Sequence, residues 1–167
     1  MKKLNKKNKQ YSELIVLIFL TISAIFLWDT IVIYPIKLIT VLLHEISHAI
    51  AAIFTGGKIV TMNINQDLSG QCTIEGGNQV LIASSGYFGS LFFGLMFIFS
   101  AYKIKKSNFL IVPILFILLF FSLLLSTNLL VKLISICIVV LLLFVSYKFN
   151  DSLKKYSFIF LGMVSSF

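Results

Sequence analysis

Arginine is absent from this 167-residue chain, and its six acidic residues are outnumbered by fourteen lysines. The net charge of +8 is therefore all lysine, and the lysines gather at the ends of apolar segments, so no nucleic-acid partner is expected. Cysteine is equally scarce. Cys72 and Cys137 are too few and too differently placed for a disulfide framework, and neither has the CxxC spacing of a zinc knuckle, which leaves two reduced thiols. Charged residues make up only 12% of the chain, against 59% hydrophobic ones. With a mean hydropathy of +1.02, that composition excludes a soluble domain of this size.

What is present is a series of apolar runs long enough to cross a bilayer core of about 30 Å. Spans are expected at Leu14 to Tyr34, Leu38 to Phe54, Val80 to Tyr102, Phe109 to Leu125 and Leu129 to Tyr147, with a sixth beginning near Tyr156. The fold class is thus an all-α polytopic membrane protein of about six transmembrane helices, with a small β-hairpin between the second and third. Residues 1–167 are read as a single membrane domain whose first twelve residues form a basic cytoplasmic tail and whose residues 56–77 form the hairpin insertion.

Lys2, Lys3, Lys6, Lys7 and Lys9 form one basic cluster, Lys103, Lys105 and Lys106 a second, and Lys148, Lys154 and Lys155 a third. Such clusters mark cytoplasmic flanks. The basic head lacks a small-x-small cleavage site leading into a soluble domain, so the first apolar run is read as retained. Three spans would put the first two clusters on opposite sides, against the positive-inside tendency. Asp29, Thr30 and Pro35 make the first connection a candidate for a non-spanning piece.

Both of the chain's histidines stand in His44-Glu45-Ile46-Ser47-His48, inside an otherwise apolar stretch. At about 100° per residue, helical positions four apart stand nearly above one another, so both imidazoles can face one metal ion. Glu45 then sits beside them as a general base. Two neutral imidazoles and a carboxylate on one helix suit hydrolysis assisted by zinc, which acidifies water and polarises a carbonyl while the carboxylate moves the proton. In a soluble helix the pattern can be coincidence. In hydrocarbon three ionisable groups within five residues are costly unless they share a partner, so a functional pocket is the default reading.

Between the second and third spans, Gly56-Gly57 and Gly76-Gly77 bracket a segment in which Val60, Met62 and Ile64 alternate with Thr61, Asn63 and Asn65. That period of two predicts a strand with one apolar face. Alternation resumes through Cys72 and Ile74 after the turn-like Asp67-Leu68-Ser69-Gly70, which gives a hairpin. Gly86, Ser90 and Gly94 fall every fourth residue on the third span, a face of small residues expected to let helices approach closely and to pack against the metal-bearing helix.

His44-Glu45-Ile46-Ser47-His48-Ala49, followed by Ala52, Gly56, Gly57 and Val60, resembles the signature of the site-2 protease family of intramembrane zinc metalloproteases, in particular its small bacterial branch. Gly86-Tyr87-Phe88-Gly89 and Gly94 are similar to that branch as well. The resemblance covers Val41 to Gly94; elsewhere only the hydrophobic spans correspond. It implies zinc as cofactor, His44 and His48 as metal ligands, Glu45 as catalytic base, a hairpin beside the active site, membrane-protein substrates, and a multi-pass location in a bacterial cell membrane. It also implies a third ligand, an aspartate on a later helix. Glu13, Asp29, Asp67, Glu75 and Asp151 are the other acids; none lies mid-span downstream of the third helix, so the missing ligand is expected beyond Phe167.

For the chemistry, the hairpin edge over Val60 to Asn65 is a candidate for holding an extended substrate by strand addition. Asn63, Asn65, Gln66, Asp67 and Ser69 either line a path for water or form turns. A second class of function, a non-catalytic membrane adaptor with a degenerate HExxH site, is consistent with the absent third ligand. A protease of the prenyl-protein processing type would use a glutamate there, and no downstream acid supports it. Substrate identity and oligomeric state are not legible.

Overall fold

The computed structural model describes residues 6–65, 67–103, 107–126 and 128–166. Lys2, Lys3, Gln66, Lys105, Lys106 and Phe167 lie outside the described residues. The chain divides into two compact units, Met1–Tyr34 and Pro35–Phe167.

The first unit holds helix α1, Lys6–Phe26, which takes in Lys6, Lys7 and Lys9 of the first basic cluster. The run expected to continue to Tyr34 stops as helix at Phe26. Beyond it the backbone makes successive tight turns, with Thr30 N–H bonded to the Leu27 carbonyl and Ile33 N–H to that of Thr30. The Thr30 hydroxyl also donates to the Leu27 carbonyl at 2.7 Å, a local side-chain bond that competes with the helical ladder. Glu13–Phe26, the apolar part of α1, is shorter than a membrane span.

The second unit contains α2 (Tyr34–Phe54, entered here at Pro35), the strands β1 (Lys58–Ile64) and β2 (Gly70–Glu75), and the helices α3 (Gln79–Tyr102), α4 (Ser107–Leu125), α5 (Leu129–Lys148) and α6 (Asp151–Ser165). Among the described residues, Tyr34–Phe54, Gln79–Tyr102 and Val131–Lys148 are long and apolar enough to cross a membrane, and Leu110–Leu124 is a shorter apolar helix. Pro35 sits in the first turn of α2, where its missing N–H is not needed. The helix ends in a glycine-closed cap: Gly56, at φ 78°, turns left-handed, its N–H reaches Ile53 O, and the Gly57 N–H reaches Ala52 O at 2.7 Å.

The strands pair antiparallel as a hairpin, with Met62 opposite Cys72 and Ile64 opposite Gly70. The expected apolar face is corrected at one residue. Ile59 pairs with Ile74 and Thr61 with Thr73, leaving Val60 as the extra residue of a bulge, and Val60 is exposed while Met62 and Ile64 are fully buried. The far edge of β1 is taken: Met62 bridges to Ser126, and the Asn128 amide donates to the Ile64 carbonyl at 3.3 Å.

Asn78 caps α3, its side-chain oxygen accepting from Leu81 N–H. The small-residue face of α3 divides between two partners. Gly86 and Ser90 stand at α2, as expected, whereas Gly94 packs on Gly162 of α6. Helix α6 starts at Asp151, five residues before the expected start, because Asn150 accepts from Leu153 N–H and caps it there. Asp151 is thus an exposed first-turn acid, favourable at the positive end of the helix.

Candidate active site

His44, Glu45 and His48 sit in the third and fourth turns of α2, where the helix is buried at Leu42, Leu43, Ile46 and Ala49. Helical phase brings the two imidazoles together, their centroids 4.8 Å apart in an edge-on arrangement. Helix α3 crosses in front of them at its glycine. A Cβ at Gly86 would stand 2.6 Å from His48 Nε2 and closer still to His44 Nε2. Both nitrogens therefore converge beside Gly86, where α3 can come this close to the rings only because it carries no side chain there.

The far side of each ring is held by α3. His48 Nδ1–H donates to the Ile82 carbonyl at 2.6 Å, with the Ser85 hydroxyl 3.3 Å away. The Ser90 hydroxyl gives its proton to the Gly86 carbonyl at 2.9 Å and lies 3.5 Å from His44 Nδ1 as an acceptor. With both Nδ1 atoms oriented as donors, the lone pairs are on the Nε2 atoms. The edge of the His44 ring rests on exposed Tyr87 at 5.0 Å.

Glu45 is buried, 6% exposed, on the same stretch of helix, and the hairpin lies against it. Gly70 of β2 comes so close that a Cβ there would overlap the Glu45 carboxylate. Two cavities flank the motif. One of about 450 Å³ is lined by His44, Glu45 and His48 together with Cys72 and Ile74 of β2. The other, of about 280 Å³, is lined by His44, Glu45, Leu68, Tyr87, Ser90 and Ser166. Leu68 reaches it from a left-handed backbone, φ 65°, the one non-glycine residue with positive φ among those described.

Two imidazole nitrogens converging beside a bare α-carbon, on the wall of one cavity, suit a nitrogen-loving cation such as zinc. Among the described residues, no group of three or more His, Cys, Asp and Glu is arranged to hold a metal. Asp67 is exposed and occupied in the turn, accepting from both Ser69 N–H and the Ser69 hydroxyl, and these bonds hold its carboxyl below the usual aspartate range. The Asn65 amide closes the same turn on the Ser69 hydroxyl. Asn65, Asp67 and Ser69 are therefore turn formers, and the cavity walls come from Leu68, Gly70, Cys72 and Ile74 instead. Gln66 lies outside the described residues.

Several contributors are invisible in the linear pattern: Ile82 O, Ser85, Gly70 and Leu68. Ile82 acts through its backbone, which no side-chain motif reports. Burial, and next the negative charge of Glu45, push the Cys72 thiol up to about 11.

The model of the Peptidase M50B-like family matches residues 17–167, which takes in every residue of this site. No curated protein and no solved structure matches the chain.

Proposed function

We propose that this chain, which belongs to the Peptidase M50B-like family of site-2 proteases, is an intramembrane zinc metalloendopeptidase hydrolysing peptide bonds in or near the transmembrane segments of membrane-protein substrates. The observation that carries the reading is the convergence of His44 and His48 Nε2 on the space at Gly86, with the Glu45 carboxylate alongside. In this reading His44 and His48 hold the ion through Nε2, and Glu45 is the general base. A bound zinc ion would supply Lewis acidity to water and to the scissile carbonyl.

The chain's own residues do the rest. Glu45 takes a proton from the attacking water as its oxygen bonds to the carbonyl carbon, and delivers that proton to the nitrogen as the C–N bond breaks. The Ile82 carbonyl and Ser90 keep the imidazoles in the orientation that frees Nε2. A transmembrane helix must be locally unwound to be cut, and a strand edge can satisfy the backbone so released. Because β1 is engaged at Met62 and Ile64, the strand that serves an extended substrate is β2, whose Cys72 and Ile74 already line the cavity. The protein functions in the lipid bilayer as a multi-pass bacterial cell-membrane protein, with residues 56–77 inserted as the hairpin.

The test is purified full-length protein in proteoliposomes with a mixture of tagged single-span peptides, fragments being read by mass spectrometry. Glu45→Gln should retain zinc and lose the fragments; equal fragments from both proteins would overturn the reading. The absence of a third donor among the described residues favours one rival, an adaptor with a degenerate site, which predicts no stoichiometric zinc and no effect of His44→Ala.

A further inference from the structure

Gly70 opens β2 directly over the Glu45 side chain. Its backbone gives no reason for glycine: the left-handed glycines are Gly56, Gly76 and Gly77, and Gly70 is not among them. What a side chain there would collide with is one neighbour. A Cβ at Gly70 would overlap Glu45 Oε1 and stand 2.7 Å from Cδ and 2.9 Å from Cγ, all three of them Glu45 atoms. Gly70 and Glu45 also line both cavities that flank the histidines.

We propose that Gly70 is a positioning residue, whose bare α-carbon leaves the room in which the Glu45 carboxylate stands and so fixes the general base beside the imidazole pair. The inference rests on Glu45 being that base. Among the described residues no hydrogen-bond donor reaches the Glu45 carboxylate, so its place is set by the walls around it. The wall at Gly70 is stiff. Pairing of Ile64 with Gly70 closes the hairpin, and the turn above is tied by Asn65 N–H to Ser69 O at 3.0 Å and by the Asp67 and Ser69 side-chain bonds. The mobile partner in any collision is the end of a flexible glutamate. A methyl group at residue 70 is therefore absorbed by displacement of the carboxylate, with the fold and both imidazoles left in place.

Gly70→Ala is the test, in the full chain reconstituted with zinc and one of the tagged single-span peptides. Zinc content and KM should stay at wild-type values while kcat falls by about a hundredfold, the size expected when a reacting group is misplaced by about 1 Å. Glu45→Asp withdraws the carboxylate from residue 70, so adding Gly70→Ala to Glu45→Asp should cost nothing further. A general folding defect would lower the double variant below Glu45→Asp alone, and that result overturns the positioning role.

A second measurement does not need turnover. The chain has three glutamates, Glu13, Glu45 and Glu75, so ¹³C labelling of their carboxyls gives three signals, with Glu45 assigned by its loss in Glu45→Gln. Gly70→Ala should move the Glu45 signal alone; an unmoved signal overturns the inference whether or not the peptide is cut. Cleavage insensitive to Glu45→Gln overturns the protease reading instead, and the two failures are thereby separated.

Discussion

His48 donates its Nδ1–H to the backbone carbonyl of Ile82 across the α2–α3 contact at 2.6 Å. A carbonyl can only accept, so in the neutral imidazole this bond places the proton on Nδ1 and the lone pair on Nε2, toward the space at Gly86. For His44 the Ser90 hydroxyl plays the corresponding part, its own proton being committed to the Gly86 carbonyl. With only two histidines in the chain, ¹⁵N spectra of the metal-free protein at neutral pH should show both in the Nδ1–H tautomer. A His48 signal from the Nε2–H tautomer would contradict the arrangement.

Gly86 makes a second prediction, in which two effects of opposite sign compete. In a helix interior alanine is favoured over glycine by about 0.5–1 kcal/mol, so Gly86→Ala gains stability from backbone entropy. The added methyl, however, occupies the volume faced by both Nε2 atoms. Because the methyl would overlap both rings, each held in place by α3, the metal-free variant should lose about 1–3 kcal/mol in thermal unfolding, the cost of overpacking exceeding the entropy gain, and zinc affinity measured by competition with a chelating dye should drop by about a hundredfold. Zinc bound as tightly as by the wild type would sink the assignment of that volume to the metal.

The histidine pair was legible in the sequence because it is local: four residues on one helix fix the relation of His44 to His48. The hairpin was legible for a similar reason, its glycine brackets and alternation being short-range. Val60 escaped that reading because a bulge changes the register between Ile59 and Thr61 without changing the alternating letters. The start of α6 escaped because hydropathy begins near Tyr156, whereas the cap that sets the helix end is the polar Asn150. The spacing of Gly86 and Ser90 pointed that face of α3 at α2, but Ile82 and Gly70 reach the site only through tertiary contact of α3 and β2 with α2, and no spacing along the chain encodes that.

Cys72 carries a pH dependence. Burial and the Glu45 charge raise its thiol from the ordinary 9.0 to about 11, so the folded protein holds the neutral form more firmly than the unfolded chain does. The resulting contribution to stability is complete below pH 9.0 and is lost as pH rises toward 11. In a Cys137→Ser background, alkylation of Cys72 by a soluble maleimide should stay slow through the neutral range and accelerate only in that alkaline window. Glu45→Gln removes the repelling charge and should shift the acceleration to lower pH. Rapid labelling at neutral pH in the folded protein would contradict the burial.

Gly162 tests the packing that holds α3 in place. Where α3 crosses α6, a Cβ on Gly162 would stand 2.6 Å from the Gly94 carbonyl oxygen and 3.1 Å from Ile98 N, and one on Gly94 would stand 2.7 Å from the Gly162 carbonyl oxygen. Side-chain atoms of Ile98 and Ser166 also stand in the way, but the two carbonyl oxygens are backbone, unlike the flexible carboxylate that faces Gly70, so even when those side chains yield the helices themselves must separate. Gly162→Ala should therefore destabilise the solubilised protein by about 1–3 kcal/mol, the cost of overpacking, despite alanine's better helix propensity. The same α3 carries Ile82, Gly86 and Ser90, so zinc affinity should weaken along with stability. Thermal unfolding with and without zinc measures both, and a Gly162→Ala protein as stable as the wild type would show that the glycine pair does not set this crossing.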